Sequence, residues 1–266
     1  MSDLIAYVSA IGVCGPGLPD WPSAEAVLSG KQAYVASATV LPAPETLPST
    51  ERRRAGRVVR LALATGLEAA RRAGVDPARL PVVFASSGGD GDNCDAICRT
   101  LASASRALSP TRFHNSVHNA PAGYWSIAAG SQVPTTTICA YDASFSAGLL
   151  EALAQAATTR LETALIAYDL DYPEPLHAAR PTSAPFSAAL ILKASAAGGA
   201  LARLTARFGR DRPDRPRNEG LARLAALVPA AQSLVLLEAI AVGRPATVNL
   251  GYLEPVVLTI EVAPWH

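Results

Sequence analysis

The sequence has little that would direct it to nucleic acid or to a membrane. Its formal net charge is only +1, whereas proteins that bind nucleic acid or anionic lipid carry a marked basic excess. No uncharged apolar run reaches the roughly 18 residues that span a bilayer. Residues 1–12, MSDLIAYVSAIG, lack a basic segment followed by a long apolar core. We therefore expect no signal peptide, no membrane span and a cytoplasmic protein.

Cysteine and histidine are also scarce, with four residues of each. The spacings of Cys14, Cys94, Cys98 and Cys139 match no zinc-binding pattern, although Cys94 and Cys98 are one helical turn apart. No glutamate is placed as in the H-E-x-x-H motif of metalloproteases. We expect no metal ion and no other cofactor, and we expect the cysteines to act as small buried hydrophobic residues.

What the sequence does contain is the composition of a compact globular protein. Half of its 266 residues are hydrophobic and 17% are charged, which excludes a disordered chain. The length fits one domain, and we treat residues 1–266 as such. Residues 210–220, RDRPDRPRNEG, form a charged proline-rich stretch that predicts a mobile loop, followed by a short last part in residues 221–266.

Hydrophobic patterning predicts strands that alternate with helices. Strands are predicted in 4–17, in the first parts of 80–93 and 135–156, and in 162–172, 186–195, 200–209, 233–238 and 256–262, with 186–195 and 200–209 forming a hairpin. Helices are predicted in 21–30, 51–74, 94–108 and 220–228, and in the last parts of 109–130 and 135–156. This alternation favours an α/β layered fold.

The glycine-rich stretch SSGGDGDN, residues 86–93, invites comparison with a phosphate-binding loop. It contains neither G-x-x-x-x-G-K-[ST] nor G-x-G-x-x-G. Asp90 and Asp92 would also repel a phosphate group. We interpret the stretch as a turn that joins a strand to a helix.

A basic stretch, RRRAGR, occupies residues 52–57 at the start of a predicted helix. The helix dipole disfavours cations at that end. The stretch is therefore either a solvated face or an electropositive patch for an acidic protein or a phosphate-bearing ligand.

Residues 135–156, TTTICAYDASFSAGLLEALAQA, begin as a β-branched run and end as a helix. Enzymes place nucleophiles at such corners, where the helix N-terminus stabilises negative charge. Ser144 is one candidate and Cys139 is its rival. Ser144 does not lie in a G-x-S-x-G elbow, and a serine hydroxyl stays inert without a base.

The histidines offer two candidates for that base. His114 and His118 are four residues apart, which would align them on one face of a helix. The alternative is that they hydrogen-bond to a backbone turn. His177, in a proline-flanked loop, and His266, at the last residue, have no neighbours that suggest catalysis.

Five segments, taken in order, make the chain similar to the β-ketoacyl synthases of the thiolase fold. They are YVSAIGVCGPGLPDWPSAEAVLSG, VVFASSGGDGDN, SPTRFHNSVHNAPAGYWSIAAG, DASFSAGLLEALAQA and APFSAALILKASAAGGALARLTARFG. Together they cover residues 4–210. The resemblance implies a layered α-β-α fold whose second half is truncated.

The same resemblance implies that the catalytic groups of the family are missing. The family's nucleophile motif, roughly A-C-x-[SA]-[GA], is matched by residues 143–147, so Ser144 stands where the cysteine is expected. Cys139 falls five residues too early, inside the predicted strand. The family's H-x-T-G-T motif is absent, and residues 249–255, NLGYLEP, echo its N-x-F-G-x-G-G-x-N motif without a histidine.

A degenerate synthase of this kind is expected to act as a subunit of the chain-length-factor type found in aryl polyene and type II polyketide pigment pathways. The resemblance implies an active β-ketoacyl synthase and an acyl carrier protein as partners, and it allows a homodimer of the isolated chain. The alternative is a free-standing serine acyltransferase or hydrolase that uses Ser144 with His114 or His118.

Analogy with the family assigns three groups of residues to these partners. An edge strand, Thr135, Thr136, Thr137 and Ile138, would pair with the synthase by strand addition. An acyl tunnel or partner pocket would be lined by Phe145, Trp125, Asn115, His118 and Asn119. The acyl carrier would dock on Arg52, Arg53, Arg54 and Arg57.

Overall fold

A computed structural model of the chain describes residues 3–196 and 199–265. Its strands are β1 (Leu4–Cys14), β2 (Val82–Ala85), β3 (Thr135–Ile138), β4 (Thr163–Asp169), β5 (Phe186–Lys193), β6 (Ala202–Gly209), β7 (Ala246–Gly251) and β8 (Val257–Pro264). Its α-helices are α1 (Trp21–Leu28), α2 (Ser49–Arg54), α3 (Arg57–Ala73), α4 (Gly91–Ala102), α5 (Pro110–His114), α6 (Ala120–Ala129), α7 (Ser144–Thr159), α8 (Leu176–Ala179), α9 (Glu219–Leu227) and α10 (Ser233–Val242). The C-terminal residue His266, considered above, lies outside the described residues.

The eight strands form one sheet in the order β3-β2-β4-β5-β1-β6-β8-β7. Strands β3, β2 and β4 are parallel to one another, and every pair from β4 to β7 is antiparallel. Because parallel strands end at the same edge of a sheet, the loops that follow β2, β3 and β4 meet in one place. That place is where the predicted nucleophile corner lies.

Helices cover both faces of the sheet. On one face, α1, α7, α9 and α10 bury a large apolar cluster against alternate residues of the strands. On the other face, α3 and α6 bury a second cluster against the remaining residues. These six helices present apolar residues to the sheet, which is how an α-β-α sandwich excludes water from both sides. The layered fold is the one predicted from the sequence.

The last part of the chain is short. After β6 it contributes α9, α10, β7 and β8, together with a 3-10 helix at Pro229–Gln232. Strands β6, β8 and β7 extend the sheet that begins with the earlier strands, so the described residues form one continuous sheet. The second half is therefore reduced, as expected.

Several local predictions were wrong. Strands β5 and β6 do not form a hairpin, because β1 lies between them and pairs with both. Residues 233–238 are helical and belong to α10, which is apolar because it is buried. The helix expected over 51–74 is interrupted at Ala55, where the backbone is extended, and restarts at Arg57.

The cysteine prediction was also wrong in part. Cys14 is buried as expected, but Cys94, Cys98 and Cys139 are exposed. Cys94 and Cys98 lie on α4, a helix whose only buried residues are Gly91 and Asn93. Over the described stretches 3–196 and 199–265, no helix combines the length and apolarity that crossing a membrane demands.

Candidate functional site

The candidate site lies where the parallel strands β2, β3 and β4 end. Cys139 follows β3, Ser86 and Ser87 follow β2, and Asp169 is the last residue of β4. All four stand at the same edge of the sheet because their strands run in the same direction. Their side chains and backbone groups form one hydrogen-bonded cluster.

Asp169 is the centre of that cluster. One of its carboxylate oxygens accepts from the Ser87 N–H at 2.9 Å and from the Ser87 hydroxyl at 2.7 Å. The other accepts from the Ala230 N–H at 2.9 Å. Burial raises the pKa of Asp169, and the hydrogen bonds from Ser87 and Ala230 oppose that shift. With its acceptor sites occupied by these donors, Asp169 holds the site together and is not placed to act as a base.

The glycine-rich turn after β2 allows two ring side chains to pack against its backbone. A Cβ on Gly88 would lie 1.8 Å from the Tyr172 hydroxyl oxygen, and Gly89 has φ +63° with the His118 ring close by. The turn therefore needs glycine to admit these two rings and to take a left-handed backbone. Our interpretation of SSGGDGDN as a turn, and not a phosphate loop, agrees with this geometry.

Cys139 lies just beyond β3, not inside it as expected. Its thiol is exposed and donates to the Ser87 carbonyl oxygen, with 3.3 Å between sulfur and oxygen. The side chain therefore points along the edge of the sheet and not into it. Four residues, 140–143, still lie between it and the first residue of α7, so the helix N-terminus does not cover it.

Ser144 is the first residue of α7, at the end of a tight corner. Its hydroxyl donates to the Tyr141 carbonyl oxygen at 2.7 Å and accepts from the Ala140 N–H at 3.0 Å. The side chain is 1% exposed. Because the hydroxyl donates its proton to a carbonyl oxygen in a hydrogen bond, a base could take that proton only if this bond were broken. This arrangement caps a turn.

The two candidate histidines are not on one helix. Helix α5 ends at His114 and α6 begins at Ala120, so His118 lies in the connection and the predicted shared helical face is wrong. His118 has a ring nitrogen 3.2 Å from the Ser86 carbonyl oxygen, and His114 packs edge-on against Tyr124. Neither imidazole hydrogen-bonds to Ser144 in the described part of the chain, so the serine–histidine pair of the alternative hypothesis is not assembled.

Arg180 braces the outer side of the corner. Its guanidinium carbon lies 3.9 Å from the centroid of the Tyr141 ring, and its nitrogen makes an ion pair with Asp142. Tyr141 has φ +53°, which is unfavourable for a residue with a side chain. The stacking of Arg180 on the Tyr141 ring and its ion pair with Asp142 together stabilise Tyr141 in this conformation. Nothing in the sequence signals this contact, because Arg180 follows Asp142 by 38 residues.

The structure contradicts the assignment of Phe145 and Trp125 to a tunnel wall. Both are 0% exposed, and they belong to the two apolar clusters on opposite faces of the sheet. Neither ring can reach a partner while these cores stay packed. Phe145 and Trp125 are core residues.

The other predicted pocket residues differ in whether they are accessible to a partner. Asn115 is buried, donates to the Arg54 carbonyl oxygen and accepts from the Tyr124 hydroxyl, so its amide already has partners. His118 is half-buried and Asn119 is exposed. Of the five residues predicted for a pocket, these two remain accessible to a partner.

The predicted edge strand is at an edge. Strand β3 pairs on one side with β2, and on its other side it pairs with no strand of residues 3–196 or 199–265. The Ile138 carbonyl oxygen accepts from the Ser86 N–H, so Ile138 faces β2. Since backbone groups alternate along a strand, Thr136 also faces β2, and the backbone groups of Thr135 and Thr137 point away from the sheet.

The basic stretch divides into two parts. Arg52, Arg53 and Arg54 are exposed on the short helix α2. Arg57 instead begins α3 and makes ion pairs with Asp92, at 2.8 Å, and with Asp171. Those carboxylates raise the pKa of Arg57 against the effect of burial. The charge of Arg57 is thus neutralised within the chain.

No group of three or more metal-ligating side chains occurs among the residues that the structure describes. The cluster around Asp169 is built of serine, backbone and one carboxylate, which is not a donor set for a transition metal. The chemistry that this edge supports is structural hydrogen bonding around an accessible thiol.

The chain matches a known family. A model of the N-terminal domain of β-ketoacyl synthases matches residues 25–242, which is most of the chain. A comparison with proteins of curated function gave no match.

Solved structures with the same fold include complexes of ketosynthases. A chain from the ketosynthase ApeO in complex with its chain length factor ApeC, from Xenorhabdus doucetiae, is 22% identical with a TM-score of 0.74, covering 97% of this chain and 99% of that one. A chain from the ishigamide ketosynthase/chain length factor is 16% identical with a TM-score of 0.71, covering 98% and 99%. A chain from AntDE:AntF, a type II polyketide synthase acyl carrier protein in complex with its ketosynthase, is 12% identical with a TM-score of 0.71, covering 99% and 100%. At these identities the likeness establishes the thiolase-like fold.

Proposed function

This chain belongs to the β-ketoacyl synthase family, and from that premise we propose that it is a non-catalytic subunit of the chain-length-factor type. It pairs with an active ketosynthase in the cytoplasm and helps to set the length of a polyene or other fatty-acid-like polyketide chain. In this proposal the partner supplies the covalent chemistry, and this chain supplies a surface.

The state of Ser144 is the observation that carries the proposal. Acyl transfer in the family needs a thiolate, which a cysteine at a helix N-terminus can form because its pKa of about 8.5 is lowered there. Ser144 offers a hydroxyl that is buried and bonded to the Tyr141 carbonyl oxygen. A serine in that state cannot accept an acyl group, so the first covalent step has no nucleophile.

The similar structures support the choice of partner. Two of them are described as a ketosynthase together with its chain length factor, and a third as a carrier protein with its ketosynthase. Each aligns with this chain over nearly its whole length and nearly the whole length of the matched chain. A subunit of this size and fold therefore suits a place in such a complex.

Strand β3 is the surface that we assign to the ketosynthase. Its outward backbone groups, at Thr135 and Thr137, are placed to accept a strand from a partner. The exposed side chains of Cys139 and Tyr141 follow immediately along the chain. His118 and Asn119, which are accessible on the neighbouring connection, are placed to face the partner's acyl pocket.

The acyl carrier is assigned to the exposed arginines of α2. Carrier docking rests on positive charge that is not neutralised within the subunit. Arg52 and Arg53 meet that condition among the described residues, Arg54 pairs with one carboxylate, that of Glu51 at 3.2 Å, and Arg57 is held between two aspartates. We therefore restrict the proposed docking patch to α2.

Co-expression with the ketosynthase encoded beside it tests the proposal. We expect a stable heterodimer by size-exclusion chromatography with light scattering, and a change in product length when this subunit is left out. Thr137→Pro removes an outward N–H of β3 without removing a bond to β2, and we expect it to abolish the heterodimer. Thr247→Pro, at the opposite edge of the sheet, is the matched control. A purified chain that elongates an acyl thioester without any partner would refute the proposal.

A further inference from the structure

The two edges of the sheet are not equivalent. The β3 edge carries outward backbone groups at Thr135 and Thr137. At the other end of the sheet, the middle of β7 is bonded to Asp214, which lies in residues 211–217, a segment that we call the strap. The strap lies within residues 210–220, which the sequence predicts to be a mobile charged loop.

The strap is fastened to β7 through one residue. The Asp214 N–H donates to the Asn249 carbonyl oxygen at 2.8 Å, and the Asp214 carboxylate accepts from the Asn249 N–H at 2.7 Å. Both outward backbone groups in the middle of β7 are therefore satisfied by Asp214. A carboxylate here imitates the carbonyl of a neighbouring strand, with the added strength of a charged acceptor.

A second anchor holds the strap against α10. The Arg217 N–H donates to the Glu238 carboxylate at 3.1 Å, and the Arg217 guanidinium lies 3.7 Å from the same group. Pro216 is buried between the two anchors. Pro213 and Pro216 have no N–H, so the strap itself offers few donors with which a further strand could pair.

We propose that the strap guards the β7 edge against strand addition by a second copy of this chain, so that assembly proceeds only through β3. An uncovered edge strand is a template for pairing. A chain with two open and different edges would join head to tail, β3 of one copy on β7 of the next, and such contacts do not close. With the middle of β7 occupied by Asp214, assembly stops at a pair.

This inference concerns the chain alone and does not require the ketosynthase partnership to be correct. Its first test is hydrogen exchange in the unmodified protein, followed by NMR. Thr247 and Asn249 face the same way on β7, but only Asn249 has an acceptor in the strap. We expect the Asn249 amide to exchange at least tenfold more slowly than the Thr247 amide. Equal rates would overturn the proposal.

The second test measures assembly by sedimentation velocity. Asp214→Ala should give species that grow beyond a dimer as concentration rises, whereas Asp211→Ala, an equal change of charge on an exposed residue of the strap, should not. Adding Thr137→Pro to Asp214→Ala should reverse the growth, because the β3 edge is then closed as well. If Asp214→Ala keeps the size distribution of the unmodified protein, or if Thr137→Pro fails to reverse the growth, the strap does not guard β7 in the way proposed.

Discussion

The hydroxyl of Ser144 and the carbonyl oxygen of Tyr141 are 2.7 Å apart, and the hydroxyl donates to the carbonyl. The bond closes the corner between β3 and α7, and a second bond from the Ala140 N–H completes it. A residue at the position of the family's nucleophile therefore has a local structural task. This relationship leads to the first prediction.

Ser144→Ala should destabilise the protein without altering its function. Losing a hydroxyl that caps a turn typically costs about 1–2 kcal/mol. We expect the free energy of unfolding in urea to fall by that amount, and the product of the co-expressed complex to stay the same. Ser144→Cys is the companion variant, and intact-mass measurement after incubation with an acyl thioester should show no adduct at residue 144. An adduct lost on returning to serine would show that the corner retains activating power.

Cys139 should report on the partner. Its thiol is exposed at the end of β3 in the isolated chain, and the proposed heterodimer would cover it. We expect alkylation of Cys139 by iodoacetamide to slow at least tenfold when the ketosynthase is bound. Cys94 and Cys98 serve as exposed controls in the same chain and should react at unchanged rates. Equal protection of all three thiols, or of none, would count against β3 as the contact.

Arg180→Ala should loosen the corner from its outer side. The variant loses the stacking on Tyr141 and the ion pair with Asp142, which together stabilise a partly exposed site by about 1 kcal/mol. Arg180→Lys keeps the charge but not the planar guanidinium, so we expect it to recover only part of that loss. Urea unfolding of the three proteins gives the comparison. Full recovery in the lysine variant would show that stacking contributes nothing.

Glu68 should impose a pH dependence on stability. Its carboxylate accepts from the Val13 N–H at 3.0 Å and from the Trp21 N–H at 2.8 Å. Burial raises the pKa of Glu68, with the charge of Asp20 adding to the shift and the two N–H bonds opposing it. Because the folded pKa lies above that of the unfolded chain, this stabilising contribution is complete below a pH of about 4.3 and falls as pH rises through the folded pKa.

Glu68→Gln tests that sign. The amide of glutamine has one oxygen, so it can accept from only one of the two N–H groups. We therefore expect the free energy of unfolding to fall by about 1–3 kcal/mol at low pH. The difference from the unmodified protein should narrow as pH rises from 4 towards 7, since only the unmodified protein loses stability from this group. Thermal unfolding across that range measures it. A difference that widens with pH would mean that the pKa of Glu68 is lowered in the folded state.

Periodicity was sufficient to predict the layered fold and most of its elements, but not the pairing of strands. Consecutive strands usually lie side by side, so β5 and β6 were expected to form a hairpin. Both instead pair with β1, which is longer than either of them and is apolar on both faces. The apolar run in α10 fits either a buried strand or a buried helix, and pattern alone does not separate the two.

The candidate site shows the same division between local and distant information. Ser144 was identifiable because its corner is a contiguous stretch of sequence. Arg180, Asp169 and Ala230 act on that corner or on the neighbouring strand ends from distant positions, and only the fold brings them together. The sequence also does not show which apolar residues are buried in a core. Phe145 and Trp125 are apolar wherever they lie, and composition does not distinguish a core from a tunnel.

The bond from the Ala230 N–H to Asp169 joins the reduced last part of the chain to the end of β4. Among the residues that the structure describes, no earlier segment gives a donor to the same carboxylate oxygen. A still shorter polypeptide, ending ahead of the turn at Pro229–Gln232, would leave half of that anion without a donor in a dry interior. The last part of the chain therefore cannot be shortened past this turn without loosening the end of β4, where Asp169 lies.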